Sequence, residues 1–372
     1  MVNTTTYLSG GRIQGRSDDS EADVSGYKLL ARSTALGSAA GTITASGFTA
    51  KDNIMILGDI SMDGSNYGTV KMTFNGDSSG SNGNYAWRQS DNFGTESGTG
   101  EIETDYDYID VGKVLALDNF VVAGIRNTAA EEKLVNMRVV ELGAAGAGTK
   151  PDHTENVSKW VNTSNQITTI TLTCSSNFEA GSEFVVLGCD DDEGAAAGTG
   201  SGSNFWTELL NFTGTLNSGS AHTATPDTGS FTAKKFLMVD ILTVTGNDRA
   251  GFGLFANGTS SSLDNNTDAW AQSTATNHAT SSSGGVSGDY INLNNTIEGS
   301  DASAYTKMFI LNRSDKEKLI VWHSFDSLGV YKEGYGKYSL GGGMGAGQIT
   351  RFGCVYTTGQ TYLKHCHVWG SD

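Results

Sequence analysis

The sequence predicts an all-β protein made of two tandem jelly-roll-like β-sandwich domains that arise from internal duplication, behind an N-terminal arm. Three observations carry this prediction. Glycine is frequent at 49 of 372 residues and proline occurs only twice; together with abundant Ser, Thr and Asn, this is the composition of strands joined by turns. In the apolar runs, residues two apart share a face, as Ile54 and Ile56 do, which is strand and not helix spacing. The chain also exceeds the ~250 to 300 residues at which one core usually stops growing, and most of it is written twice.

Residues 1–26 have no usable hydrophobic period and read as an arm. Within it, Tyr7-Leu8 and Arg12-Ile13 are short and apolar enough to add as a strand or clasp on an adjacent subunit. Arg12 and Arg16 bring positive charge to a chain with a formal net charge of −17. These five residues are the candidate assembly contacts.

The first repeat spans 27–193 and the second 205–372. Phe48-Thr-Ala-Lys-Asp-Asn-Ile-Met-Ile-Leu is answered 183 residues later by Phe231-Thr-Ala-Lys-Lys-Phe-Leu-Met-Val-Asp. Phe74-Asn-Gly-Asp answers Phe255-Ala-Asn-Gly, and Ala86-Trp-Arg-Gln-Ser answers Ala269-Trp-Ala-Gln-Ser. Asp107-Tyr-Ile answers Asp289-Tyr-Ile, and Glu132-Lys-Leu-Val answers Glu317-Lys-Leu-Ile. Gln166-Ile-Thr-Thr matches Gln348-Ile-Thr-Arg, and the closing strands Phe184-Val-Val-Leu-Gly and Cys366-His-Val-Trp-Gly align without a gap. Order and spacing kept over so many blocks mean tandem duplication. Residues 194–204, rich in Gly, Ala and Ser, form the linker.

The charge balance narrows the function classes. With 41 acidic against 24 basic side chains, the chain repels a phosphate backbone, so nucleic acid is not an expected partner. No run of about 18 apolar residues occurs, and membrane insertion is not expected either. The N-terminus lacks the basic start and apolar core of a signal peptide. Four cysteines are too few for a disulfide framework and are expected as free thiols. Synthesis and assembly in a host cytoplasm fit that reading.

Candidate site residues are few. His365 and His367 stand two apart in the last strand, so both imidazoles share a face as a metal-binding pair would; two ligands do not complete a site, and solvent-facing histidines are the simpler reading. Asp190, Asp191, Asp192 and Glu193 offer the oxygen ligands of calcium without the glycine and spaced carboxylates of an EF-hand loop. A solvated acidic turn is the simpler reading there, with calcium as the secondary one. Trp87 and its counterpart Trp270 read as core before glycan platform. No nucleophile elbow, phosphate loop or catalytic triad order is present, and no catalytic residue or cofactor is expected.

The stretches Glu132 to Pro151, Val157-Ser-Lys-Trp-Val-Asn-Thr-Ser-Asn-Gln-Ile-Thr and Phe178-Glu-Ala-Gly-Ser-Glu-Phe-Val-Val-Leu-Gly resemble the repeating domain of tandem-repeat structural proteins of marine viruses, among them tailed phages and viruses of marine archaea. The resemblance covers both repeats and excludes the arm. It implies a virion structural protein, a tail, fibre or capsid-decoration component, with copies of itself and other virion proteins as partners. A double jelly-roll major capsid protein, an adhesin for host surface glycans and a glycan-cleaving enzyme are the rivals. The second repeat departs from the pattern at 326–347, where glycines replace the usual loop, so matching surfaces of the two repeats are expected to differ in role.

Overall fold

The computed structural model describes residues 6–8, 11–13, 27–63, 68–78, 83–92, 99–114, 117–143, 146, 148–190, 205–214, 227–257, 268–276, 279–288, 291–297, 303–326, 331–338 and 347–372. Among them every regular element is a strand, as the composition predicts. No helix among the described residues is long and apolar enough to cross a membrane. In the arm, β1 (Thr6–Leu8) and β2 (Gly11–Ile13) form an antiparallel hairpin with Tyr7 opposite Arg12. The chain forms two units: Met1–Glu141 with Asp152–Trp206, and Leu142–Pro151 with Thr207–Asp372. Residues 142–151 thus lie inside the first repeat in sequence and belong to the second unit in space.

The first unit contains β3 (Lys28–Arg32), β4 (Ala40–Ser46), β5 (Asn53–Asp63), β6 (Gly68–Phe74), β7 (Tyr85–Asn92) and β8 (Thr99–Tyr106). It continues with β9 (Ile109–Val114), β10 (Asp118–Arg126), β11 (Lys133–Glu141), β12 (Asp152–Trp160), β13 (Thr169–Phe178) and β14 (Glu183–Cys189). One layer runs β3-β14-β5-β10-β11-β12-β7-β8 and the other β4-β13-β6-β9. The far end of β5 crosses between them, where Met62 pairs with Phe178. The result is a β-sandwich. Its pairing is nested: β3 with β14, β4 with β13, β5 with β10 and β6 with β9. The hairpins β7–β8 and β11–β12 widen the first layer.

Sequence alternation sets the faces. In β6, Val70, Met72 and Phe74 point into the core while Thr69, Lys71 and Thr73 are half-buried. Ile54, Ile56, Val121, Ala123, Val135 and Met137 meet them from the other layer, each large side chain contributing about 1.5 to 3 kcal/mol by leaving water. Trp87 is buried, as its core reading predicts.

The second unit contains β15 (Thr207–Thr213), β16 (Asp227–Ser230), β17 (Phe236–Ala256), β18 (Asp268–Thr276) and β19 (Ala279–Gly288). Then come β20 (Ile291–Ile297), β21 (Ser303–Leu311), β22 (Lys318–Asp326), β23 (Tyr331–Tyr338) and β24 (Arg351–Ser371). Short strands were expected throughout, yet β17 and β24 are each 21 residues long. They pair with one another along most of their length, and register shifts near Thr245, Asn247 and Gly251 absorb the bend that a loop makes in the first unit. The start of β17 pairs with β21 and its end with β20; the start of β24 pairs with β16 and its end with β15. With each long strand counted as two, the nested pairing of the first unit recurs. The outer strands β22, β23, β18 and β19 repeat β11, β12, β7 and β8.

The likeness of the two units extends to single hydrogen bonds. Ile54 faces Ile125 and Gly188, and Leu237 faces Ile310 and Gly370. The buried Asn127 Oδ1 accepts from the Ile167 N–H at 2.7 Å while its Nδ2 donates to the Lys51 carbonyl at 2.9 Å. Asn312 makes the same bonds with Ile349 at 2.6 Å and Lys234 at 3.0 Å. Asn75 and Asn257 both sit at positive φ, 52° and 55°, a conformation Asn tolerates better than most residues. Each receives the backbone N–H of a threonine, Thr168 at 2.9 Å and Thr350 at 2.8 Å.

Candidate functional site

The two units share a framework and differ on the outer face of the wider layer. In β17, Leu237, Val239 and Ile241 fill the core, so Met238, Asp240 and Leu242 face the other way. Register places Asp240 opposite His367 of β24 and Lys307 of β21, Lys307 opposite His323 of β22, and His323 opposite Glu333 of β23. Five titratable side chains thus form one row across five neighbouring strands. The same row in the first unit reads Val185, Leu57, Val122, Arg138 and Glu155. Three apolar positions have become His, Asp and Lys.

Within the row, Lys307 Nζ stands 3.9 Å from Asp240 Oδ1, and both side chains are largely buried. Burial pushes the Lys307 ammonium below its ordinary range, opposed by the Asp240 charge. Burial also pushes the neighbouring Tyr305 phenol well up, reinforced by the charge of Asp240 and a hydrogen bond to it. Tyr331 Oη lies 2.7 Å from His323 Nδ1 and donates to Glu333 Oε2 at 2.9 Å. The row thus holds one buried ion pair and a separate His323–Tyr331–Glu333 hydrogen-bonded group. Its two carboxylates, Asp240 and Glu333, are three strand spacings apart, about 14 Å at ~4.8 Å each; a glycosidase pair needs roughly 5 to 9.5 Å.

His365 and His367 share a face as their spacing predicts. Their rings meet edge to face at 6.2 Å, and His367 packs on Trp369 at 5.4 Å. His365 Nδ1 lies 3.3 Å from Thr213 Oγ1, and burial, with His367 and Lys364 adding to it, pushes its pKa down. Among the described residues no three His, Cys, Asp or Glu side chains gather to hold a metal ion.

In the acidic turn, Asp190 Oδ2 accepts from Lys51 Nζ at 2.7 Å and Oδ1 accepts from the Asp52 N–H at 3.1 Å. Asp372 does the same in the second unit, with Lys234 Nζ at 2.6 Å and the Lys235 N–H at 3.2 Å. Asp190 is therefore one of a duplicated pair of framework residues that close the last strand. Asp191, Asp192 and Glu193 lie outside the described residues. Of the arm residues, Tyr7 pairs across the hairpin with Arg12, Leu8 with Gly11 and Ile13 with Thr6, and Arg16 lies outside the described residues. Cys174, Cys189 and Cys366 carry free thiols.

A second feature was not foreseen. Leu142, Gly146 and Thr149 lie against the β22–β23 end of the second unit. The buried Lys337 Nζ donates to the Leu142 carbonyl at 3.2 Å and to Thr149 Oγ1 at 3.3 Å. The Gly146 N–H donates to the buried Glu317 Oε1 at 2.6 Å. A Glu and a Lys thus grip the backbone of a Gly/Ala-rich segment. The charged residues Asp240 and Lys307 within otherwise apolar strands were the one available signal for the row; the grip left none.

No family model and no curated protein matches the sequence. Among solved structures, domains LG4-5 of the mouse laminin alpha1 chain are similar at 7% identity and a TM-score of 0.17, over 94% of this chain and 89% of that one. A likeness at that level carries no argument.

Proposed function

We propose that this protein is a virion structural component: two tandem jelly-roll-like sandwiches and an arm that assemble with copies of themselves and with other virion proteins. The observation that carries the reading is the nested strand pairing, first with last and inward to the middle pair, found in both units. A long antiparallel hairpin rolled up on itself gives this order, which supports the jelly-roll reading. The sequence resemblance to marine-virus structural proteins supplies the virion context. Its role there is structural and not catalytic, as a tail, fibre or decoration element exposed on the particle and open to host surface glycans.

The tandem repetition of the pairing favours a second reading, a double jelly-roll major capsid protein. Labelling purified particles with an antibody to the chain and counting its copies by quantitative mass spectrometry tests both. Label on a tail at low copy number supports the first reading, and label over the whole shell as the most abundant protein supports the second. Particles without label and without the peptide would refute both.

A further inference from the structure

We propose that the outer face of β11, β12, β7 and β8 in the first unit is a seat for a second copy of this chain, met by Gly/Ala-rich backbone in the way Leu142, Gly146 and Thr149 meet Lys337 and Glu317 in the second unit. The comparison is position by position. Glu317 and Lys337, which grip that segment, correspond to Glu132 and Lys159. In the first unit this pair is exposed and bonds only to itself in the geometry described, Lys159 Nζ to Glu132 Oε2 at 2.9 Å.

The apolar positions between them follow suit. Leu134 pairs with Lys159 and is 57% exposed, whereas its counterpart Leu319 pairs with Lys337 and is 0% exposed. Val157 is 64% exposed where Tyr335 is buried, and Ile102, one strand beyond Arg88, is 67% exposed. Three large apolar side chains on one open sheet face, flanked by the Glu and Lys that hold backbone in the other repeat, mark an interaction surface.

The occupant is read from the sequence. The gripped segment begins Leu142-Gly-Ala-Ala-Gly-Ala-Gly148, and the second repeat carries Leu340-Gly-Gly-Gly-Met-Gly-Ala-Gly347. Both open with Leu-Gly and close with Gly-Ala-Gly; between these, Gly342-Gly343-Met344 stands where the first segment has Ala144-Ala145. Residues 340–346 lie outside the described residues and enter by sequence alone. Seat and occupant then sit on different repeats of one chain, so the contact is head-to-tail, and repetition builds a ring or a filament. The inference deepens the assembly reading above and rests on it for self-association, though not for the virion context.

Sedimentation velocity on the full chain over a concentration series tests it. The wild type is expected to rise above its monomer mass of 39.1 kDa with concentration. A seat variant, Leu134→Asp with Val157→Asp, and a segment variant lacking residues 341–346 are each expected to stay monomeric, with association at least tenfold weaker. Mixed one to one, they are expected to recover dimers, because each supplies what the other lacks. Lys159→Glu, a single change at an exposed position, serves as a milder seat variant, and circular dichroism checks that each variant is folded. A wild type that stays monomeric, a seat variant that associates normally, or a mixture that forms no dimer would each overturn the proposal. Association lost only on deletion of residues 2–26 would assign it to the arm instead and also overturn the seat.

Discussion

Asp240 and Lys307 face each other across β17 and β21, 3.9 Å apart and largely buried, at the positions that Leu57 and Val122 hold in the first unit. A buried charge left without its partner costs roughly 3 to 5 kcal/mol, while replacing both partners with apolar residues is often neutral or stabilising. Asp240→Leu alone is therefore expected to lower the unfolding free energy of the second unit by about that amount. The double change Asp240→Leu with Lys307→Val rebuilds the apolar pair of the first unit and is expected to recover most of that loss, short of the hydrogen bond that Tyr305 makes to Asp240. Urea unfolding of the three proteins checks this, and a double variant less stable than the single one would refute it.

The paired asparagines make a second expectation. Asn127→Ala strips partners from the buried N–H of Ile167 and the carbonyl of Lys51, and a buried polar group left without a partner costs about 1 to 3 kcal/mol. Asn312→Ala does the same to Ile349 and Lys234. Each change is expected to destabilise its own unit by a few kcal/mol in total, by the same per-group cost. Hydrogen exchange with peptide resolution would locate the loss, and equal loss of protection in both repeats from one substitution would contradict the expectation.

Acid stability follows from His153 in β12. Burial, with the nearby Arg138 charge adding to it, pushes this imidazole down to about 3. The unfolded chain takes up the proton near its ordinary pKa of about 6.5, so it binds more protons than the folded chain between those values and stability rises with pH across that window. As pH falls from 6 to 4, His153 is expected to remove roughly 1 kcal/mol of stability per unit. His153→Gln should flatten that part of the profile in thermal melts, and an unchanged slope would show that His153 is charged in the folded state.

Much of the framework was legible in the sequence. Ile54 with Leu237 and Ile56 with Val239 were readable as matched core positions because a strand shows its faces at a spacing of two residues, and the register confirms both pairs. The row His367, Asp240, Lys307, His323 and Glu333 was not readable as a unit. Those residues are brought together only by the register of five strands, β17, β24 and the consecutive β21, β22 and β23, and a one-residue slip in any of them would send its side chain to the opposite face. Asp190 looked like part of an ion site because its local run is acidic; Lys51, which takes up its charge, is 139 residues away. The grip of Lys337 and Glu317 on residues 142–151 was hidden for a related reason, since a loop of one repeat belongs in space to the other.

The most direct measurement is a cryo-electron microscopy map of the assembled protein at side-chain resolution. Both Glu/Lys pairs, Glu317 with Lys337 and Glu132 with Lys159, are expected to lie beneath Gly/Ala-rich backbone, the first from residues 142–151 of the same chain and the second from residues 340–347 of a neighbour. A map of the assembly in which Leu134, Val157 and Lys159 still face solvent would contradict it.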